Sequence, residues 1–309
     1  MERNNNSKLS ICIVTGFLGS GKTSFLKHYT EELLKRDEKI AVIMNEFGDF
    51  DVDSQILEPV IQTISLQNGC VCCDLSQDLV AQLSTLINQN QAQHVIIEAT
   101  GIAHPLQLIE ACFDPVLANH VNPPLVIGLV DTPRFLQRHE YSASTQQLME
   151  EQIEVSHDII VNKIDLISDD EQNEVKSQLK ALNPHGIILS TTYGQVDFDR
   201  LKQNHSSDQP HSHSHLHHHG ISSIEYTFTA PIDRQMFYQF ILRLPENVYR
   251  LKGYVRFKDM PETTYLFQFA YGMPDYEPIQ GNKINTVVLI GENLDKERLR
   301  NQLDALQFT

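Results

Sequence analysis

The chain has 309 residues, 41% of them hydrophobic, and its 40 acidic against 24 basic residues give a formal net charge of −16. This length suffices for a large α/β domain and a smaller one, while the acidic balance argues against nucleic acid or anionic membrane as partners. No apolar run is as long as a membrane span, and the polar start 1–6 is unlike a signal peptide. We therefore expect a cytoplasmic protein whose five cysteines serve metal or redox chemistry rather than structural disulfides.

A glycine-rich loop follows the first predicted strand, 10–15, and precedes a helix-like run. The loop reads Gly-Phe-Leu-Gly-Ser-Gly-Lys-Thr, which is the GxxxxGK[ST] pattern of a phosphate-binding P-loop. Its glycines let successive N–H groups turn toward a polyphosphate, and the helix adds its positive N-terminal end. We expect Lys22 to reach the β- and γ-phosphates and the Thr23 hydroxyl to bind Mg²⁺. The predicted nucleotide-binding residues here are Gly16, Gly19, Ser20, Gly21, Lys22, Thr23 and Ser24.

A cluster of cysteines follows the second predicted strand, 40–45. Three of the four positions 70–73 are cysteine, and such crowding suits metals like Zn²⁺, Co²⁺ or Cu⁺ because thiolates bind them strongly. A redox-active pair of thiols and small buried hydrophobic residues are the alternative interpretations. A tetrahedral site also needs a fourth ligand, for which Glu46 and His104 are candidates. The cysteines of the predicted metal site are Cys70, Cys72 and Cys73.

Two acidic residues at strand ends compete for the position beside the γ-phosphate. The strand at 95–99 contains Glu98, with Gly101 three positions later, whereas the strand at 125–131 ends in Asp131 without such a glycine. We therefore expect Glu98 to hold a Mg²⁺-bound or attacking water and Gly101 to contact the γ-phosphate through its backbone. Asp131 is then expected to be structural.

The strand at 159–162 ends in Asn-Lys-Ile-Asp, the Asn-Lys-x-Asp pattern with which many P-loop GTPases read guanine. The Asp165 carboxylate can accept from the ring N1–H and the exocyclic amine of guanine, whereas adenine offers no matching pair of donors. The backbone of 190–192, after the next strand at 187–189, is a candidate for completing the base pocket. The predicted guanine-binding residues are Asn162, Lys163 and Asp165.

Strands buried on both faces and separated by helices predict a mainly parallel, doubly wound sheet. A polar stretch at 204–220 then holds seven of the fourteen histidines. Such a segment cannot bury a core, so we expect a flexible linker whose imidazoles capture metal. Beyond it, strands at 224–230, 248–258, 263–271 and 285–290 and helices at 235–244 and 294–306 predict a small α+β domain. The predicted domains are a P-loop GTPase domain with the metal site at 1–203, the linker at 204–220 and the C-terminal domain at 221–309.

Together these motifs resemble the CobW-like family of metal-handling P-loop GTPases, over nearly the whole chain. The most specific element is the combination of a Cys-x-Cys-Cys cluster with a P-loop. The segment Arg250–Val255 resembles the family's C-terminal signature, and His104 stands where the family often has an acid. The resemblance implies a slow GTPase that binds Zn²⁺, or Co²⁺, and delivers it to a client protein. It places metal ligands at Glu46, Cys70, Cys72 and Cys73, and nucleotide contacts at Gly19, Lys22, Thr23, Glu98 and Asp165, of which we expect Lys22 and Glu98 to be catalytic.

Three functions are compatible with these residues. The leading prediction is a GTP-driven metallochaperone, monomeric or homodimeric, whose metal affinity depends on the nucleotide state. A non-catalytic zinc buffer that uses the histidine-rich linker is the alternative. A small-molecule kinase built on the same P-loop is the third, and the guanine-type pattern and the thiolates disfavour it.

Overall fold

The computed structural model describes residues 8–36, 38–44, 61–65, 73–198, 201, 221–270, 273–281 and 283–307. The chain divides into two compact units, Met1–Ala111 with His120–His219 and Cys112–Asn119 with Gly220–Thr309. Each unit contains one β-sheet. Within the described residues, no helix has both the length and the apolar character needed to span a bilayer.

The first unit is built on a seven-stranded sheet whose order is β3-β2-β4-β1-β5-β6-β7. All of its strand pairs are parallel, so the carboxyl ends of the strands meet at one edge. The first strand lies at the centre, between β4 and β5, where the chain changes direction across the sheet; ligands bind at such a switch point in open α/β sheets. The strands are β1 (Ser10–Thr15), β2 (Ile40–Met44), β3 (Ile61–Ser65), β4 (His94–Glu98), β5 (Leu125–Asp131), β6 (Asp158–Asn162) and β7 (Ile187–Ser190).

Helices cover both faces of this sheet. Successive residues of a strand point to opposite faces, and Ile160 packs in one cluster with Phe25, whereas Ile159 packs in another with Val175. The predicted doubly wound sheet is therefore confirmed. The helices are α1 (Lys22–Leu34), α2 (Cys73–Gln89), α3 (Pro105–Cys112), α4 (Thr132–Leu136), α5 (Ala143–Glu154) and α6 (Asp169–Leu182), with 3₁₀ turns at Arg138–Glu140 and Ile164–Leu166.

The second unit is an antiparallel sheet of order β11-β10-β9-β12-β8 with two helices. Its core is rich in aromatic residues, among them Phe237, Phe257 and Phe267, and includes Leu303 of the last helix. The predicted α+β architecture is thus confirmed. Its elements are β8 (Ile221–Thr227), α7 (Arg234–Leu242), β9 (Val248–Phe257), β10 (Met260–Ala270), β11 (Met273–Ile279), β12 (Thr286–Glu292) and α8 (Lys296–Gln307).

The signature segment Arg250–Val255 lies in β9, the central strand of this sheet. A Cβ at Gly253 would lie 2.4 Å from the carbonyl oxygen of Thr286, so a glycine is needed where the neighbouring strand approaches. Lys252 forms a 2.5 Å ion pair with the buried Asp114, which belongs to the same unit. These contacts give the segment a structural role in the second unit.

Candidate nucleotide site and metal-binding segment

The P-loop connects β1 to α1 at the carboxyl edge of the first sheet. Its glycines Gly16, Gly19 and Gly21 have φ angles of +141°, +75° and +98°, which side chains disfavour. A Cβ at Gly16 would also lie 2.4 Å from the carbonyl oxygen of Leu129 in β5. The loop therefore turns as predicted, and close packing against the sheet fixes its first glycine.

Lys22 is the first residue of α1, and only 9% of it is exposed. Its Nζ donates to the carbonyl oxygen of Gly16 at 2.8 Å and lies 3.4 Å from that of Phe17. These contacts hold the ammonium group against the first two residues of the loop. A P-loop lysine meets the β- and γ-phosphates from such a position.

Thr23 and Glu98 lie together at the start of α1 and the end of β4. The Thr23 hydroxyl is 3.5 Å from Glu98 Oε1, because β4 is hydrogen-bonded to β1, the strand that precedes the P-loop. A hydroxyl and a carboxylate are hard oxygen donors of the kind that Mg²⁺ takes, together with several waters. This donor set fits the predicted magnesium site. Mg²⁺ bound there would neutralise charge on the β- and γ-phosphates.

Gly101, the predicted backbone contact to the γ-phosphate, packs directly on the P-loop. A Cβ at this position would lie 2.7 Å from the backbone nitrogen and from Cδ2 of Leu18. The carbonyl oxygen of Gly101 accepts from the buried Gln152 side chain at 3.3 Å. The segment after β4 is thus held against Leu18 at the middle of the loop.

The side chain of Asn162 joins the P-loop to the loop that follows β7. Its Nδ2 donates to the carbonyl oxygen of Ser20 at 2.9 Å, and its Oδ1 accepts from the backbone N–H of Gly194 at 3.1 Å. Asp165, in contrast, is exposed and makes no hydrogen bond with the described part of the chain. Its carboxylate is therefore accessible to a ligand. The backbone carbonyl of Thr191, in the predicted 190–192 segment, accepts from the N–H of Ile164 at 3.4 Å.

Asp131 has the structural role that we expected. The residue is 6% exposed, and its Oδ1 accepts from the backbone N–H of Arg134 at 3.2 Å, which caps α4. Its Oδ2 accepts from Lys163 Nζ at 2.6 Å. Lys163 has a φ of +63°, and Thr132 Oγ1 donates to its carbonyl oxygen at 3.0 Å. The strand end of β5 thereby positions the Asn-Lys-x-Asp segment.

Arg134 is the residue of this site that the motifs did not predict. Its Nη1 donates to the carbonyl oxygen of Leu18 in the P-loop. In the Asp-Thr-Pro-Arg sequence at the end of β5, the acid matches a known pattern, whereas nothing in the sequence marks the arginine as a neighbour of the P-loop. It lies there because β5 pairs with β1, the strand that carries the P-loop.

The predicted zinc ligands fall largely outside the described residues. Glu46, Cys70, Cys72 and the histidine-rich linker are not among them, and of Cys73 only the backbone is described, as the first residue of α2. Within the described residues, no cluster of three or more His, Cys, Asp or Glu side chains is arranged to hold a metal. The other candidate ligand, His104, places Nδ1 2.8 Å from Glu151 Oε2.

The two isolated cysteines, Cys12 and Cys112, are buried in the first and second units. Burial raises the pKa of the Cys12 thiol far above its usual range, and the carboxylate of Asp158 raises it further. Burial also raises the pKa of Cys112 to about 12. Both therefore remain protonated thiols at neutral pH, and neither suits a metal, which binds the thiolate.

Two family models match this chain. The nucleotide-binding domain described as CobW/HypB/UreG matches residues 10–190, and the cobalamin synthesis protein cobW C-terminal domain matches residues 221–307. The first of these covers more than half of the chain, and both agree with the resemblance seen in the motifs.

Among similar proteins is the zinc chaperone YjiA of Escherichia coli (strain K12), 28% identical over 97% of this chain and 99% of that protein. The zinc-regulated GTPase metalloprotein activator 1 of Dictyostelium discoideum is 25% identical over 63% of this chain. The match covers 48% of the Dictyostelium protein, so the chain aligns with about half of that relative's length. The crystal structure of Zn(II)-bound YjiA GTPase from E. coli matches 97% of this chain and 99% of its own with a TM-score of 0.50 and 25% identity.

Proposed function

The chain belongs to the CobW family of nucleotide-binding proteins, and on this premise we propose that it is a GTP-hydrolysing zinc metallochaperone. It hydrolyses GTP to GDP and phosphate in the first unit and transfers Zn²⁺ to a client metalloprotein. Its zinc affinity depends on whether GTP or GDP is bound. The names of its relatives, which include zinc chaperones and a zinc-regulated GTPase activator, support this function.

The nucleotide half of the proposal rests on the arrangement of Lys22, Thr23 and Glu98 beside one loop. We propose that Lys22 and Glu98 are catalytic, the lysine by binding the phosphates and the carboxylate by holding a water. Thr23 binds Mg²⁺ and Asp165 reads guanine. The remaining proposed nucleotide contacts are Gly16, Gly19, Ser20, Gly21, Ser24, Gly101, Asn162 and Lys163.

The proposed metal site is supported by the positions at which strands β2 and β3 end. Met44, the last residue of β2, is the sheet partner of both Ser65 and Glu98. The chain leaves β2 toward Glu46 and leaves β3 toward the cysteine cluster. Both segments therefore begin beside the strand end that carries Glu98, the residue in contact with Thr23. We propose that Zn²⁺ is held by Glu46, Cys70, Cys72 and Cys73, with Co²⁺ as a second metal that such ligands accept.

We further propose that the protein acts in the cytosol, as a monomer or homodimer, and that a client protein rather than nucleic acid or membrane is its partner. The GTPase domain with its metal site would comprise 1–203, the linker 204–220 and the C-terminal domain 221–309. In the linker, the histidines add weak zinc sites to the thiolate site.

The proposal is tested by titrating Zn²⁺ against a competing chelator in three states: without nucleotide, with GDP, and with Mg²⁺ and a non-hydrolysable GTP analogue. We expect zinc dissociation constants that differ at least tenfold between the GDP and GTP-analogue states. The matched variants are a triple variant with serine at Cys70, Cys72 and Cys73, and a deletion of 205–219. The triple variant should lose the nucleotide-dependent site, and the deletion should lose only weak zinc equivalents.

Equal zinc affinities in all three states would contradict the coupling and would favour a zinc buffer. A buffer would also lose most of its bound zinc in the linker deletion and show no GTP turnover. Transfer of the γ-phosphate to a metabolite in place of water would favour the kinase alternative.

A further inference from the structure

Arg134 reaches from the end of β5 onto the P-loop. Besides the bond from Nη1 to the carbonyl oxygen of Leu18, its guanidinium lies flat over Gly19. A Cβ at Gly19 would lie 3.1 Å from Nη1, 3.3 Å from Cζ and 3.4 Å from Nη2 of Arg134. These nearly equal distances mean that the face of the guanidinium covers the space where a side chain would stand. Arg134 can occupy this space because residue 19 is a glycine and has no side chain there.

The charge of Arg134 is only partly compensated by its neighbours. Its Nε is 3.7 Å from Asp131 Oδ2, which is beyond hydrogen-bonding distance, and the same oxygen accepts from Lys163 at 2.6 Å. The Arg134 side chain is 42% exposed. A guanidinium has five N–H donors, and apart from Nη1 none of them is bonded within the described residues. Donors in the fork geometry that suits a phosphate are therefore available.

The part of the loop that Arg134 touches is the part that meets the terminal phosphates. Lys22, which reaches the β- and γ-phosphates in a P-loop, is held at the carbonyls of Gly16 and Phe17, directly before Leu18. Gly101, the proposed γ-phosphate contact, packs on Leu18 from the β4 side. Arg134 approaches the same residue from the β5 side. Two elements on opposite sides of β1 thus converge on Leu18.

We propose that Arg134 is a catalytic residue supplied by the chain itself, which binds the β- and γ-phosphates of GTP and stabilises charge in the transition state. The inference rests on the proposed GTPase function. In hydrolysis, the water oxygen forms a bond to the γ-phosphorus while the bond from that phosphorus to the β,γ-bridging oxygen breaks. The electron pair remains on the β-phosphate of GDP, and both protons of the water end on the inorganic phosphate that carries its oxygen. Arg134 donates to the oxygens that gain negative charge.

The test compares Arg134→Ala and Arg134→Lys with the control Arg138→Ala. Arg138 lies four residues later in the chain, but its Nη1 donates to the carbonyl oxygen of Phe135 at 2.9 Å and its guanidinium stacks 4.1 Å over the Phe135 ring. It has no contact with the P-loop among the described residues. Its Nε also lies 3.8 Å from Glu150 Oε1. The control thus removes an arginine whose described contacts lie away from the P-loop.

We measure GTP turnover, and the affinities for GDP alone, for GDP with aluminium fluoride and for a non-hydrolysable GTP analogue, all with Mg²⁺. For Arg134→Ala we expect a fall in kcat of about tenfold or more, since arginines in this role contribute up to 10³–10⁵. Affinity for GDP with aluminium fluoride should fall by a similar factor, while the Kd for GDP stays within about threefold. Arg134→Lys should recover part of the loss, because it keeps the charge but not the fork. Arg138→Ala should match the wild type in all four measurements.

A purely structural Arg134 would lower the thermal stability and weaken all nucleotides alike, and that result overturns the proposal. Unchanged affinity of Arg134→Ala for GDP with aluminium fluoride overturns it as well. If the wild type does not hydrolyse GTP, the proposed function fails, but Arg134 is still tested by the ratio of the affinities for the GTP analogue and GDP. A ratio that falls in Arg134→Ala and not in Arg138→Ala supports binding to the γ-phosphate; an unchanged ratio refutes it.

Discussion

Replacing Asn162 with alanine should loosen both ends of the nucleotide site at once. The side chain is 2% exposed and holds the carbonyl oxygen of Ser20 and the N–H of Gly194. Alanine leaves both backbone groups without that partner, and Ser20 itself is fully buried. An unsatisfied buried group costs about 1–3 kcal/mol. With two such groups, we expect the first unit to lose roughly 2–6 kcal/mol of unfolding free energy and its melting temperature to fall by roughly 4–24 °C.

The control for this experiment is Asn183→Ala. Asn183 is also buried, donates to the carbonyl oxygens of Ile153 at 2.9 Å and Ser156 at 2.8 Å, and accepts from the N–H of Gly186 at 2.7 Å. It ties helix ends to a loop and has no contact with the P-loop in the described structure. We expect a comparable loss of stability in this variant, with the Kd for GDP unchanged.

The melting temperature is measured by calorimetry, and the Kd is measured with a fluorescent GDP analogue at a temperature where both variants are folded. The two bonds of Asn162 position the phosphate loop and the base-side loop, so Asn162→Ala should bind GDP at least tenfold more weakly than Asn183→Ala. Equal GDP affinity in the two variants would refute the reasoning. A stability loss below about 0.5 kcal/mol in Asn162→Ala would refute it too, since that is within the range of neutral surface changes.

Three further outcomes follow from the described contacts. Asp165→Asn should lose GTP affinity at least a hundredfold and gain affinity for xanthosine triphosphate. Its melting temperature should not change, because the exposed carboxylate has no partner in the described structure. Equal binding of GTP and xanthosine triphosphate by the variant would count against guanine recognition. Hydrogen bonds from the backbone N–H and the hydroxyl of Ser168 lower the pKa of Glu171, so their stabilisation is complete above the ordinary value of 4.5 and is lost as the pH falls through the lowered one. Ser168→Ala removes the hydroxyl bond to this carboxylate and also the cap on the Glu171 N–H, which does not titrate. The variant should therefore lower the melting temperature more near neutral pH than in strong acid, and an equal loss at both would contradict a role for the hydroxyl bond. In the variant with serine at Cys70, Cys72 and Cys73, the remaining thiols of Cys12 and Cys112 should resist a thiol reagent at about pH 8 until guanidinium chloride unfolds the chain. A fast reaction in the native protein would contradict their burial.

Much of the fold could be predicted because its strands are buried on both faces. The bounds predicted for β1 and β5 are those of the structure, since each strand contains a run of buried apolar residues in the centre of a parallel sheet. The missed strands are at sheet edges. In β3, Ile61–Ser65, only two of five residues are apolar. In β11, Met273–Ile279, two prolines are tolerated because the strand pairs on one side only and is largely exposed.

In the candidate site, local sequence patterns could be predicted, whereas contacts between distant residues could not. The P-loop and the Asn-Lys-x-Asp segment are local patterns, so the sequence alone locates Lys22 at the start of α1 and Asp165 just after β6. Their contacts with the nucleotide stay predictions. The contact between Leu18 and Arg134 joins positions 116 residues apart and exists because β5 lies next to β1. No periodicity in the sequence encodes that pairing. The cysteine assignments stay predictions, because these side chains lie outside the described residues.

Coupling the zinc affinity to the nucleotide state needs only a small free energy, which a few contacts near Glu98 can supply. A hundredfold change in zinc affinity corresponds to about 2.7 kcal/mol. Forming or breaking one hydrogen bond to a charged group is worth about 1.5–3 kcal/mol. In the proposed mechanism Mg²⁺ and GTP bind at Thr23 and Glu98. The segments that carry the predicted zinc ligands begin at Met44 and Ser65, the sheet neighbours of that strand end. One or two contacts that differ between the GTP and GDP states at this edge therefore suffice for zinc release, and the coupling can be contained within the first unit.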